Sequence, residues 1–263
     1  MRSLSKFYGN IGAQSLLFRI ARDNNYIFSR SRRNMYPKKA ISELPGKSAT
    51  ALASELLDVM GASVLDVGCG AGEFTCFLAE CGADMSGIDP NEGRLEKAAL
   101  LAREDNYEID FRVGVAESLT FEEDTFDIVT FSNSLHHVPF EGIPIALEEA
   151  ARVLGDEGLL YVMEPIPSGS YFEVCQPIND ETGVRTIAYE ALGTACDGLF
   201  EMLSETFAST PKRYRDFEDF RIKSLARNPQ RAESFDQHQA EMTARFDRLA
   251  EQLSVVLFWM LPS

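Results

Sequence analysis

The chain has 263 residues, 45% of them hydrophobic and 25% charged, enough for one α/β domain of generous size with a well-buried core. No apolar run approaches the roughly 20 residues that a membrane span needs, and neither the five cysteines nor His136, His137 and His238 show metal-ligand spacing, so the composition predicts a soluble, cytoplasmic protein with no membrane span, reduced thiols and no metal. The formal net charge is −16, and residues 51–263 hold 15 Lys/Arg against 39 acids; such a body repels phosphate backbones and makes nucleic acid an unfavourable substrate unless the N-terminal segment presents it.

That segment differs in kind. Residues 1–50 hold ten Lys/Arg against two acids, with Asp23 the only acid among the first 42 residues. The preferred reading is a basic, amphipathic extension over residues 1–47 that lies on the acidic body. A mitochondrial transit peptide has the same composition, and capture of an anionic substrate is a weaker third reading. The domain proper then spans 48–263.

Ser48 is placed to cap a helix running through Met60, with Gly61 as its stop. Short apolar runs at Ser63 to Val67, Asp84 to Ile88, Ile109 to Val115, Phe126 to Phe131 and Leu159 to Met163 read as strands. Between them, Glu73 to Glu80, Asn91 to Glu104 and Ile143 to Leu154 have helical periodicity. Repeated βαβ units of this kind predict a Rossmann-like, mostly parallel sheet with helices on both faces. Beyond Pro165, Asp180 to Leu203 reads as one long helix, part of a helical cap and acceptor region over 166–252. Tyr214 to Phe220 is a possible strand, and Ser254 to Met260 reads as the final strand.

The chemistry-bearing pattern begins at Val64-Leu65-Asp66-Val67-Gly68-Cys69-Gly70-Ala71-Gly72, an apolar strand followed by a glycine-alternating turn into a helix. Open parallel sheets bind ligands at this edge, and glycines let the backbone approach the ligand. A dinucleotide fingerprint requires glycine at position 73, where Glu73 stands. An acid there opposes a pyrophosphate but tolerates a cationic ligand. Asp89, at the end of the next strand in Gly87-Ile88-Asp89-Pro90, is suited to accept both hydroxyls of a ribose.

The successive segments VLDVGCGAGEF, GIDPNE, VAESL, FDIVTFSNSLHHV and ARVLGDEGLLYV resemble the ordered motifs of the UbiE-like class I methyltransferases, over about residues 60–165. The resemblance implies S-adenosylmethionine (SAM) as cofactor and a seven-stranded sheet whose last strand is antiparallel. It places Asp66 and the Gly68, Cys69, Gly70 and Gly72 backbone around the methionine part, Asp89 with Pro90 at the ribose, Ala116 against adenine and Ser132 beside the sulfonium. Val115 stands where the family often has an acid for the adenine amino group, which leaves Glu117 or a backbone carbonyl for that task.

Methyl transfer from a sulfonium mainly needs alignment, and a base only where the acceptor must lose a proton. His136 and His137 follow the fourth strand of the βαβ series, and either is a candidate base; a turn with local hydrogen bonds is the competing reading. Glu164 is a candidate to orient a histidine or bind the acceptor, or else a solvated strand-end acid. Tyr171, Phe172 and Cys175 are candidates for the acceptor pocket or for plain packing. The sequence is therefore read as a SAM-dependent methyltransferase acting on oxygen or carbon of a small molecule. The alternatives are a SAM-binding regulatory or assembly protein without turnover and, disfavoured by Glu73, an NAD-dependent oxidoreductase.

Overall fold

The computed structural model describes residues 7–20, 44–195 and 198–258. In chain order the elements are β1 (Phe7–Ile20), α1 (Ala49–Leu56), β2 (Ser63–Val67), α2 (Glu73–Glu80), β3 (Asp84–Asp89), α3 (Glu92–Glu104), β4 (Asp110–Val113), β5 (Phe126–Ser132), α4 (Ile143–Val153), β6 (Leu154–Pro165), α5 (Ser170–Cys175), α6 (Thr182–Ala195), β7 (Phe200–Tyr214), α7 (Phe217–Arg227) and α8 (Ala232–Phe258). The seven strands form one open sheet in the order β4-β3-β2-β5-β6-β1-β7. All four pairings from β4 to β6 are parallel, and β1 runs antiparallel to both β6 and β7.

Local signals set several boundaries. Ser48 caps α1 by accepting from the Ala51 N–H at 3.1 Å, and Asn91 caps α3 by accepting from the Arg94 N–H at 3.0 Å. The first helix ends at Leu56, before the expected Met60, and Met60 is exposed. Gly61, the expected stop, sits at φ 72° in the turn that leads to β2.

The antiparallel strand implied by the resemblance is present, but it comes from the other end of the chain. Ser254 to Phe258, expected to begin that strand, belong to α8; Trp259 and Met260 lie outside the described residues. A short apolar run fits a strand and a buried helix equally well, and here the helix won. The sheet position is filled by β1, drawn from the segment expected as a basic extension. Leu16 and Phe18 of β1 enter the core on one face of the sheet and Leu17 enters the core on the other. Such two-sided burial belongs to an interior strand. Its polar side chains are matched: Gln14 donates to Glu205 at 2.6 Å, Ser15 shares a 3.0 Å hydrogen bond with Tyr161, and Arg19 pairs with Glu201 at 2.6 Å. Arg2, Lys6, Arg22, Arg30, Arg32 and Arg33, basic residues of the segment considered for targeting, lie outside the described residues, while Lys47 pairs with Glu55 of α1.

The expected helix from Asp180 to Leu203 is shorter. It ends at Ala195, Gly198 adopts φ 144°, and Phe200 begins β7. Tyr214 is the last residue of that strand, and Phe217 to Phe220 form the first turn of α7, not a strand. Asp216 caps α7 by accepting from the Asp219 N–H at 2.8 Å.

Helices cover both faces of the sheet. Ala146, Leu147 and Ala150 of α4 and Ala188 and Leu192 of α6 pack on one side, and Ala53 of α1 and Leu78 of α2 pack on the other. A further cluster joins α5, α7, α8 and the end of β7 through Val174, Tyr214, Phe220, Phe235, Met242 and Phe246. This cluster seats α5 and the turn before α8 beside the carboxyl ends of β5 and β6. None of the described helices is long and apolar enough to cross a membrane.

Candidate active site

The carboxyl ends of β2, β3 and β5 border a cavity of about 830 Å³. Its floor is the glycine turn after β2. The Gly68 and Cys69 N–H groups both donate to the Ile88 carbonyl, at 2.8 and 2.9 Å, which ties the turn to the end of β3. Gly68 has φ 76°, and a Cβ there would lie 2.5 Å from the Ser134 Cβ. Gly72 has φ 84°, and a Cβ would lie 2.8 Å from the Ala98 Cβ of α3. Both positions exclude a side chain by conformation and by space. Gly70 borders the cavity, with open space where a Cβ would stand.

Asp89 holds the turn from the other side. Its carboxylate accepts from the Gly70 N–H at 3.0 Å and from the Asn91 N–H at 2.9 Å, and it is 4% exposed while bordering the cavity. Asp66, expected at the methionine part, does not border the cavity. It is buried beneath the turn, where the hydroxyls of Thr75 and Thr130 donate to it at 2.7 and 2.9 Å. Burial raises its pKa to about 6, against the lowering effect of those two hydrogen bonds. Its visible task is to fasten β2 to α2 and β5 under the glycine turn. Gly72 likewise shapes the turn without bordering the cavity.

Gly68, Cys69, Gly70, Asp89, Pro90, Ala116, Glu117 and Ser132 all border this cavity, and so does Val115. Burial raises the Cys69 thiol well above its usual range, with Asp66 and Asp89 adding to the effect, so it stays a neutral packed group. Glu73, Phe74 and Arg94 complete the wall. Three carboxylates, Glu73, Asp89 and Glu117, against the single cation Arg94 make the lining suited to a ligand that carries positive charge.

A second cavity of about 280 Å³ adjoins the first, and Asn133 and His137 border both. Asn133 follows β5 at φ 56°, a conformation that asparagine tolerates better than most residues, and its N–H donates to the Met163 carbonyl at 2.8 Å. His136 borders the second cavity. It is 5% exposed, and its Nδ1 is hydrogen-bonded to Glu164, whose other oxygen accepts from the Leu135 N–H at 2.9 Å. Glu164 is thus a buried partner of His136 and not a solvated strand end. The two imidazoles lie 4.1 Å apart. Partial desolvation holds His137 below the usual histidine range, and His136 beside it adds to the effect.

Tyr171, Phe172 and Cys175 line the second cavity, together with Glu181, Arg185 and Arg231, which the sequence reading missed. No motif marks these three charges; they meet only because α6 and the turn before α8 pack at one strand end. Asn133 carried a faint signal, an asparagine directly after a strand.

Residues 64–158 match the family model described as a methyltransferase domain. The chain is 34% identical over 110 residues to the ubiquinone biosynthesis O-methyltransferase of Azorhizobium caulinodans, covering 42% of this chain and 43% of that protein. It is 39% identical over 111 residues to the enzyme of the same name from Xanthomonas oryzae pv. oryzae, covering 41% and 45%. Among solved structures, the YcgJ protein of Bacillus subtilis matches at 32% identity with a TM-score of 0.38, over 40% of this chain and 45% of that one. The matched stretch thus spans less than half the length of these curated relatives. The glycine turn, Asp89 and the cavity carboxylates Glu73 and Glu117 all lie within residues 64–158, the stretch that is similar to methyltransferase domains.

Proposed function

We propose that the protein transfers the methyl group of SAM to an oxygen or carbon atom of a small molecule held in the second cavity. The observation that carries this reading is the junction of the two cavities at Asn133 and His137, because transfer requires a continuous path between cofactor and acceptor. The glycine turn and Asp89 hold the cofactor, with Glu73, Asp89 and Glu117 offering the field that a sulfonium and an ammonium favour. SAM supplies an electrophilic methyl group on a good leaving group.

The chain's own residues supply position and proton removal. With Glu164 ionised, His136 Nδ1 donates to it, which leaves Nε2 free to take the proton of an acceptor hydroxyl or activated C–H. The second carboxylate oxygen is already used by the Leu135 N–H, so Glu164 is fixed from two sides. His136 is the base in this reading and Glu164 its positioning residue. His137 and Asn133 form the passage at which acceptor and cofactor meet.

Incubating the full chain with methyl-labelled SAM and a metabolite extract tests the assignment. A labelled small molecule is the expected result, with little label on macromolecules. SAM binding without label transfer from any extract would contradict turnover and favour a SAM-binding regulatory protein.

A further inference from the structure

The second cavity carries charge of a sign that is scarce in the chain as a whole. Arg185 and Arg231 both line it, against one carboxylate, Glu181, in a chain of formal net charge −16. Arg185 pairs with Glu181 through one terminal nitrogen, and its guanidinium lies 5.6 Å from the Phe172 ring centroid. Its Nε is buried and has no hydrogen-bond partner among the described residues. A buried donor left in this way costs free energy unless something accepts from it. Arg231 has no carboxylate partner among the described residues. With Arg185 and Arg231 set against Glu181, the cavity holds one positive charge in excess.

Tyr171, Phe172 and Pro165 also line it and offer flat apolar surface, alongside His136, His137 and two asparagines, Asn133 and Asn179. Glu181 and Arg231 also stand directly before the first residues of α6 and α8, so two helices begin at the rim and add to the positive potential. We propose that this cavity binds a small aromatic carboxylic acid as methyl acceptor, its carboxylate between Arg185 and Arg231 and its ring against Tyr171 and Phe172. A guanidinium matches the two oxygens of a carboxylate with parallel hydrogen bonds. A single excess positive charge suits a monoanion better than a doubly charged phosphate. Anchored there, the far end of the ring faces the histidines and the passage to the cofactor. The inference rests on the second cavity being the acceptor site of the proposed transfer, and it narrows the acceptor to acids.

Calorimetric titration of the full chain with benzoate and with benzamide tests it without requiring turnover. Benzoate should bind saturably, and benzamide about tenfold or more weakly. Arg231→Gln should weaken benzoate by about tenfold or more and leave SAM affinity unchanged. Arg185→Gln should do the same; since it also strips Glu181 of its partner, Arg231→Gln keeps the test valid if that variant fails to fold. No benzoate binding, equal binding of benzamide, or an unchanged benzoate affinity in Arg231→Gln would overturn the proposal. Benzoate binding in a chain that does not bind SAM would refute the transfer reading and leave the acid site standing.

Discussion

His136→Asn lowers kcat roughly a hundredfold to ten-thousandfold, the usual worth of a general base, and leaves SAM affinity unchanged, because His136 borders only the second cavity. The more discriminating variant is Glu164→Gln. One Glu164 oxygen accepts from the Leu135 N–H and the other faces His136 Nδ1. A glutamine that keeps its carbonyl on Leu135 must turn its amide N–H toward Nδ1. That nitrogen must then accept, which moves the imidazole proton to Nε2 and removes the base. Turning the amide the other way sets two N–H groups against each other at Leu135. The first orientation satisfies both groups and is favoured, so the loss in kcat approaches that of His136→Asn while the imidazole stays in place. Steady-state rates, with thermal unfolding as the control for folding, check this. Wild-type kcat in Glu164→Gln would remove His136 and Glu164 from the mechanism.

Deleting residues 1–20 abolishes cooperative folding. The strand β1 lies between β6 and β7, so its removal strips backbone partners from both neighbours and leaves β7 with no strand to pair with. Leu16, Leu17 and Phe18 are each at most 9% exposed, and burial of each contributes about 1.5–3 kcal/mol. Together they amount to a large share of a typical domain stability of about 5–15 kcal/mol. Leu16→Asp in the full chain fails for the same reason, since it places an unpaired charge in the core. Circular dichroism and thermal melts read the outcome. A truncated chain that melts as sharply as the intact protein and still binds SAM would show that β1 is dispensable, as a removable leader would be.

What could be read in the sequence was local. Residues 63–80 carried their strand, turn and helix boundaries in a contiguous pattern, because glycine geometry, strand length and helix period all act within a few residues. Asp89 and Ser132 were legible for the same reason, each standing at the end of a short apolar run. Asp66 was legible as part of the motif but not in its contacts, since its partners Thr75 and Thr130 are fixed only when α2 and β5 fold over it. The source of the antiparallel strand was not legible. In β1 the run Leu16, Leu17 and Phe18 does not alternate because its burial is two-sided, and the neighbouring sequence is strongly basic, so composition outweighed pattern. Ser254 to Met260, in contrast, had the length and residue types of a strand, and its described part continues α8 instead. The arginines of the second cavity were hidden because Arg185 sits on a helix whose inward face was read as apolar and Arg231 precedes a helix that no motif announced.

Binding of SAM by the glycine turn and its acid-lined cavity is tested most directly by isothermal titration of the full chain with SAM, its demethylated product and NAD. Saturable binding of SAM and of the demethylated product, with none of NAD, is the predicted result. Tight binding of NAD without binding of SAM would contradict it.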